Sequence, residues 1–119
     1  MTSPYRDSDP ALPVQNEEVL LTTCDHIEGY RVVCYFGLIQ RTVAYAAHQL
    51  GATLEERTRA FPKIRANAAA DLIARAHELK GNAVTGVRFD SNCGDGIYEV
   101  TGYGTAVRIE PIPPSGWTK

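Results

Sequence analysis

The stretch that decides the fold is residues 62–90, PKIRANAAADLIARAHELKGNAVTGVRFD. Apolar residues recur at Ile64, Ala68, Leu72, Ala76 and Leu79, and Ala69 and Ile73 widen the same stripe. That spacing is the period of an amphipathic helix. Arg65, Asp71, Arg75 and Glu78 fall on the opposite face, with Asp71 and Arg75 placed as an i,i+4 ion pair. Six alanines between Ala66 and Ala76 make the helix thin enough to lie close to a sheet or a neighbouring subunit. Gly81 follows Lys80 as a helix-ending residue of positive φ. The period then falls to two. Ala83, Thr85, Val87 and Phe89 share one face of a strand, with Gly86 and Arg88 on the other.

Upstream, Thr53-Leu54-Glu55-Glu56 has the form of a capping box, with Thr53 as N-cap. Pro62 suits a first helical turn better than an interior. The expectation is a short helix over Leu54–Ala60 and a longer one over Pro62–Leu79. Residues 40–50 read equally as strand or helix through Val43-Ala44-Tyr45-Ala46-Ala47, and Gly51 ends either. Val19-Leu20-Leu21-Thr22-Thr23 reads as a short strand, and Asp25–Gly29 as a turn. Arg31–Ile39 is rich in β-branched and aromatic residues and reads as a strand antiparallel to the first, with a bulge at Gly37. Downstream, Ser91–Gly96 reads as a hairpin loop and Ile97–Glu110 as a long strand bending at Gly102 and Gly104. The order β-β-α-α-β-β predicts an α+β domain, an antiparallel sheet with helices on one face.

The chain has 119 residues and a mass of 13.0 kDa, enough for one domain. Hydrophobic residues make up 44% of it, ordinary for a globular protein. Pro4, Pro10 and Pro13 mark residues 1–17 as a tail, and 111–119 as a second, around a domain at 18–110. No apolar run approaches the roughly 20 residues of a membrane helix, so no membrane insertion is expected. The polar N-terminus carries no leader pattern, which predicts a cytoplasmic protein with reduced thiols. A net charge of −2, made of −3 over residues 1–18 and about +1 over the rest, argues against nucleic acid as a partner.

Cys24, Cys34 and Cys93 are three thiols, and the ordinary place for a free cysteine is the interior. Cys24-Asp25-His26 is the exception worth weighing. A thiolate and an imidazole two residues apart at a strand end are candidate ligands for zinc or copper. Two ligands are half of a site, and neither C-x-x-C nor H-x-x-x-H occurs to complete it. Asp90–Gly96 resembles a calcium loop but puts Asp95 and Thr101 where an EF-hand needs glycine and glutamate. No nucleophile elbow, phosphate loop or His-Glu-x-x-His is present, so no catalytic residue is assigned. A cysteine-dependent enzyme or redox protein, with Cys34 served by His48 or His77 at a subunit boundary, is the alternative. His77 otherwise reads as a surface or interface histidine at the negative end of the helix.

Thr22-Thr23, Ile27-Glu28-Gly29-Tyr30, Gly37-Leu38-Ile39, Gly81-Asn82-Ala83-Val84-Thr85-Gly86-Val87, Thr101-Gly102 and Gly104-Thr105-Ala106-Val107 occur in this order over about 90 residues. In that set the chain resembles the YbjQ-like family, catalogued as heavy-metal-binding. It departs from the family in a shorter stretch between Gly37 and the long helix, without a double glycine. The resemblance implies a curled antiparallel sheet with helices outside, in subunits assembling as a ring, commonly a homopentamer. It implies no established biochemical role. The many tyrosines near strands, and the modest core of a small subunit, agree with assembly. The expected contact surfaces are sheet edges at Arg31–Ile39 and Tyr98–Ile109. The function expected from all this is a non-catalytic, homo-oligomeric binding or scaffold module, with a soft metal or small ligand as cargo.

Overall fold

The fold is that of a computed structural model, which describes residues 17–113. In chain order come β1 (Leu20–Leu21), β2 (Tyr30–Ala46), one turn of 3-10 helix (Ala47–Leu50), α1 (Leu54–Glu78), β3 (Ala83–Gly94) and β4 (Ile97–Pro111). The strands make one open sheet in the order β1-β3-β4-β2, with α1 across one face. The class is α+β. Most of the N-terminal tail and residues 114–119 lie outside the described residues. Glu17 lies inside them, and its carboxylate accepts two hydrogen bonds from the Arg108 guanidinium, at 3.0 and 2.9 Å.

The sheet is mixed, not purely antiparallel. β1 runs parallel to β3, with Leu20 opposite Ala83 and Leu21 opposite Val84, instead of pairing with β2. A two-residue strand has no alternation with which to choose a partner. β2 takes the whole length of β4, from Tyr30 opposite Pro111 to Ala46 opposite Ile97, and leaves the outer edge of β3 to β1. β4 is therefore an inner strand, and Tyr98–Ile109 offers no edge. β2 runs through Val43 and Tyr45, which pack in one cluster with buried Val100. That packing decides the residues that read equally as helix.

One helix replaces the expected two. Thr53 and Glu56 form the capping box: Thr53 Oγ1 accepts from the Glu56 amide at 3.1 Å, and Glu56 Oε1 accepts from the Thr53 amide at 3.3 Å. The helix then continues through Pro62, whose missing amide costs about 3 kcal/mol. Contacts on both sides offset that cost. Phe61 stacks on Tyr98 at a centroid distance of 4.8 Å, and Ile64 is buried. Ile64, Ala68, Leu72 and Ala76 are the buried stripe. Arg75 pairs with Glu78, not with Asp71.

The helix ends in a Schellman turn. The Gly81 amide donates to Ala76 O at 2.8 Å and the Lys80 amide to His77 O at 2.9 Å. The left-handed residue is Lys80, at φ 73°, and not Gly81. Gly81 is needed for another reason. A Cβ there would stand 2.9 Å from the Val107 carbonyl oxygen. Asn82 then works as a stretch of backbone. Its Oδ1 accepts from the Ile109 amide at 2.8 Å and its Nδ2 donates to Ile109 O at 3.1 Å.

β3 carries a bulge between Thr85 and Arg88, with Gly86 at φ 63°. The bulge changes the phase, so Val84 and Val87 both pack with Leu72 and Ala76. The single alternation expected for this strand fails there. The hairpin closes at Asp95 and Gly96, both of positive φ, so the turn is shorter than the loop expected over Ser91–Gly96. β4 is uninterrupted at Gly102 and Gly104. These glycines admit close packing: a Cβ at Gly102 would stand 2.8 Å from the Phe89 ring, and one at Gly104 2.7 Å from Val84. On the other face, Ala83, Val107 and Ile109 are buried with Leu20, Ile27 and Val32 around them.

Candidate functional site

The groove at the β1 edge begins with backbone bonds to β3. The Thr22 amide donates to Val84 O at 3.0 Å, the Val87 amide to Thr22 O at 2.9 Å, and the Gly86 amide to Cys24 O at 2.8 Å. The last bond comes from the bulge glycine, so the phase change in β3 fixes where Cys24 stands. Arg88 Nη1 donates to Thr23 O at 2.9 Å, and Thr22 Oγ1 accepts from the Cys24 amide at 3.1 Å. Past Cys24 the chain turns back, with the Tyr30 amide donating to Ile27 O at 3.0 Å and Gly29 at φ 83°. The result is an open groove of about 440 Å³, lined by Leu20, Leu21, Thr22, Cys24, His26, Ile27 and Glu28.

Cys24 and His26 thus face one groove. His26 Nδ1 is 3.0 Å from Asp25 Oδ1. That hydrogen bond, and then the charge attraction, lowers the Asp25 carboxyl and raises His26 from their ordinary values. With Nδ1–H donated to the carboxylate, Nε2 is the nitrogen left for a ligand. This is the usual arrangement of a metal-bound histidine and its orienting carboxylate. Cys24 supplies the soft donor. A zinc or copper site takes three or four protein ligands, so the pair fits such a metal as part of a set. Among the described residues no group of three or more His, Cys, Asp or Glu is placed to hold a metal ion.

The remaining candidates lie apart. All three cysteines are exposed, against the expectation of a buried thiol. Cys34 is on β2 opposite Arg108, and Cys93 is on β3 opposite Tyr98. His48 is exposed in the 3-10 turn. His77 is half-buried, and its Nε2 is buried without a hydrogen-bond partner among the described residues.

The sequence expects a sheet edge at Arg31–Ile39, and β2 is an edge strand; how far its side chains are exposed is what the sequence does not show. Val33, Tyr35 and Leu38 are 50%, 71% and 73% exposed, on a strand whose outer edge has no partner. The near-continuous apolar run Val32–Phe36 suits a strand buried on both faces, but one helix covers only part of one of them. Among the described residues no helix is long and apolar enough to cross a membrane.

An open mixed sheet under one long helix, with a Cys–His groove at one edge and a bare apolar strand at the other, defines a small α+β domain. A family model described as "Putative heavy-metal-binding" matches residues 19–110, and the chain belongs to this family, the YbjQ family. A UPF0145 protein of Thermus thermophilus is 31% identical over 106 residues, covering 79% of this chain and 93% of its own. UPF0145 protein YjfJ of Lactococcus lactis is 34% identical over 107 residues, covering 81% and 99%. A crystal structure of a DUF74-family protein of unknown function from Pediococcus pentosaceus aligns with a TM-score of 0.59 at 20% identity. It covers 77% of this chain and 98% of that one, a likeness of fold.

Proposed function

We propose that the chain is a non-catalytic, cytoplasmic, ring-forming subunit, a homopentamer, whose Cys24–His26 groove takes a soft metal ion such as zinc or copper. The observation that carries this is the groove itself. A thiol and a carboxylate-oriented imidazole line one cavity in a chain whose family is described as heavy-metal-binding. Assembly is supported by β2, an edge strand of seventeen residues that exposes Val33, Tyr35 and Leu38. The long shape, 59 × 33 × 22 Å, supports it too, since so thin a body has little interior of its own. The non-catalytic reading is supported by the surroundings of Cys34. Its thiol meets the Tyr35 carbonyl at 4.0 Å, which is no general base.

Light scattering with metal analysis of protein purified without chelator tests this reading. Five copies of 13.0 kDa give about 65 kDa. Bound zinc or copper that is lost with Cys24→Ser supports the groove. A 13.0 kDa monomer at all concentrations removes the ring, and a metal-free native protein that takes up none on titration removes the metal.

A further inference from the structure

Past the end of β4 the chain is led to the wall of the Cys24–His26 groove. The Ile112 amide donates to Gly29 O at 2.9 Å, beyond the last pair of β2 and β4, and Gly29 directly follows the groove residue Glu28. Ile112 is exposed, and Pro113 is the last described residue. Residues 114–119 follow, Pro-Ser-Gly-Trp-Thr-Lys. Pro113 and Pro114 have a fixed φ, so little conformational freedom is left to lose on the approach. Ser115-Gly116 is a pair that lets a chain reverse. Trp117 comes next, within about 13 Å of Pro113 at roughly 3.3 Å per residue. The groove suits that side chain. Leu20, Leu21 and Ile27 give it apolar walls, and an indole is a large apolar body with one N–H to satisfy. Glu28, exposed at the rim, is an acceptor for that N–H, and with Asp25 it gives the rim a charge opposite to that of Lys119. The N-terminal segment starts elsewhere. Glu17 is held by Arg108, which also donates to Lys80 O at the end of α1. The acids of that segment, Asp7 and Asp9, have the same charge as Asp25 and Glu28.

We propose that residues 114–119 act as a strap across the groove of their own chain, with Trp117 seated against Leu20, Leu21 and Ile27 and over the Cys24 thiol. The strap sets how often Cys24 and His26 meet solvent and whatever is dissolved in it. It depends on the groove alone, and on neither a metal nor a second copy.

Trp117 is the chain's one tryptophan, so its fluorescence in the full chain, with chelator present, is the test. Its emission maximum should lie to the blue of that of the urea-unfolded chain. A thiol quenches an indole on contact, so Cys24→Ser should raise the emission yield, and Cys34→Ser and Cys93→Ser should leave it as it is. A strap closed about nine-tenths of the time leaves the thiol open for one-tenth of it, so Trp117→Ala should speed iodoacetamide labelling of Cys24 about tenfold. Peptide mass spectrometry should show the labelling of Cys34 and Cys93, both exposed, unchanged. An emission maximum equal to that of the unfolded chain overturns the strap. A blue-shifted maximum with Cys24 labelling unmoved by Trp117→Ala seats the indole on another surface and overturns it too. A blue shift that disappears on dilution together with the mass of an oligomer gives the seat to a second copy and overturns the strap within one chain.

Discussion

The centre of the sheet and the outer edge of β2 are built from the same kinds of residue and meet opposite surroundings. At the centre, Val84 and Val100 are buried under Leu72 and Ala68 of α1, and Gly102 and Gly104 have no room even for a methyl group. On the neighbouring strand, with Tyr35 directly opposite Val107, Val33, Tyr35 and Leu38 stand in the open. Composition does not separate the two regions; the helix covers one and not the other. An apolar strand left bare in this way is the surface on which the proposed assembly rests.

The largest effect should come from breaking the centre. Leu72→Ala removes a buried side chain under α1 and should cost about 2–5 kcal/mol in denaturant unfolding. A loss below about 1 kcal/mol would mean that the helix does not seal the sheet. The matching change at the edge is Tyr35→Asp with Leu38→Asp. It should abolish assembly by light scattering while altering the unfolding of the subunit itself by no more than about 0.5 kcal/mol per site. Intact rings after that change would assign the bare edge to something other than a second copy.

A smaller gain is expected at the end of the helix. Lys80 carries a left-handed backbone that glycine adopts freely, so Lys80→Gly should add about 0.5–1 kcal/mol. A destabilised variant would show that the lysine side chain is needed in place. The smallest effect belongs to the groove. Asp25→Asn should lower the titration midpoint of His26 in a proton NMR titration, because the hydrogen bond to Asp25 is the main cause of its rise. Both side chains are well exposed, so melting should hardly move. An unchanged midpoint would mean that Asp25 does not orient the imidazole.

Local rules made much of this fold legible. Thr53 and Glu56 announce the start of the helix, because a cap is chemistry among four neighbouring residues. The stripe Ile64–Ala68–Leu72–Ala76 announces its buried side, because period and burial coincide. What stayed hidden depends on distant partners. Pro62 reads as a helix break until Phe61 is seen against Tyr98. Lys80 takes the conformation expected of Gly81 because Gly81 is needed to clear the Val107 carbonyl. β1 is too short to name its partner. At the site, Cys24 and His26 could be paired from their spacing. The groove around them could not, since it exists only once Gly86 turns its amide toward Cys24.

Asn82 has a consequence for how the sheet breathes. The Ile109 amide is bonded to a side chain, so it is freed by one rotamer change rather than by parting two strands. In deuterium exchange, Ile109 should take up solvent isotope well before the other amides of β4, with kinetics that denaturant barely alters. Its rate would record the lifetime of one asparagine rotamer beside an inner strand.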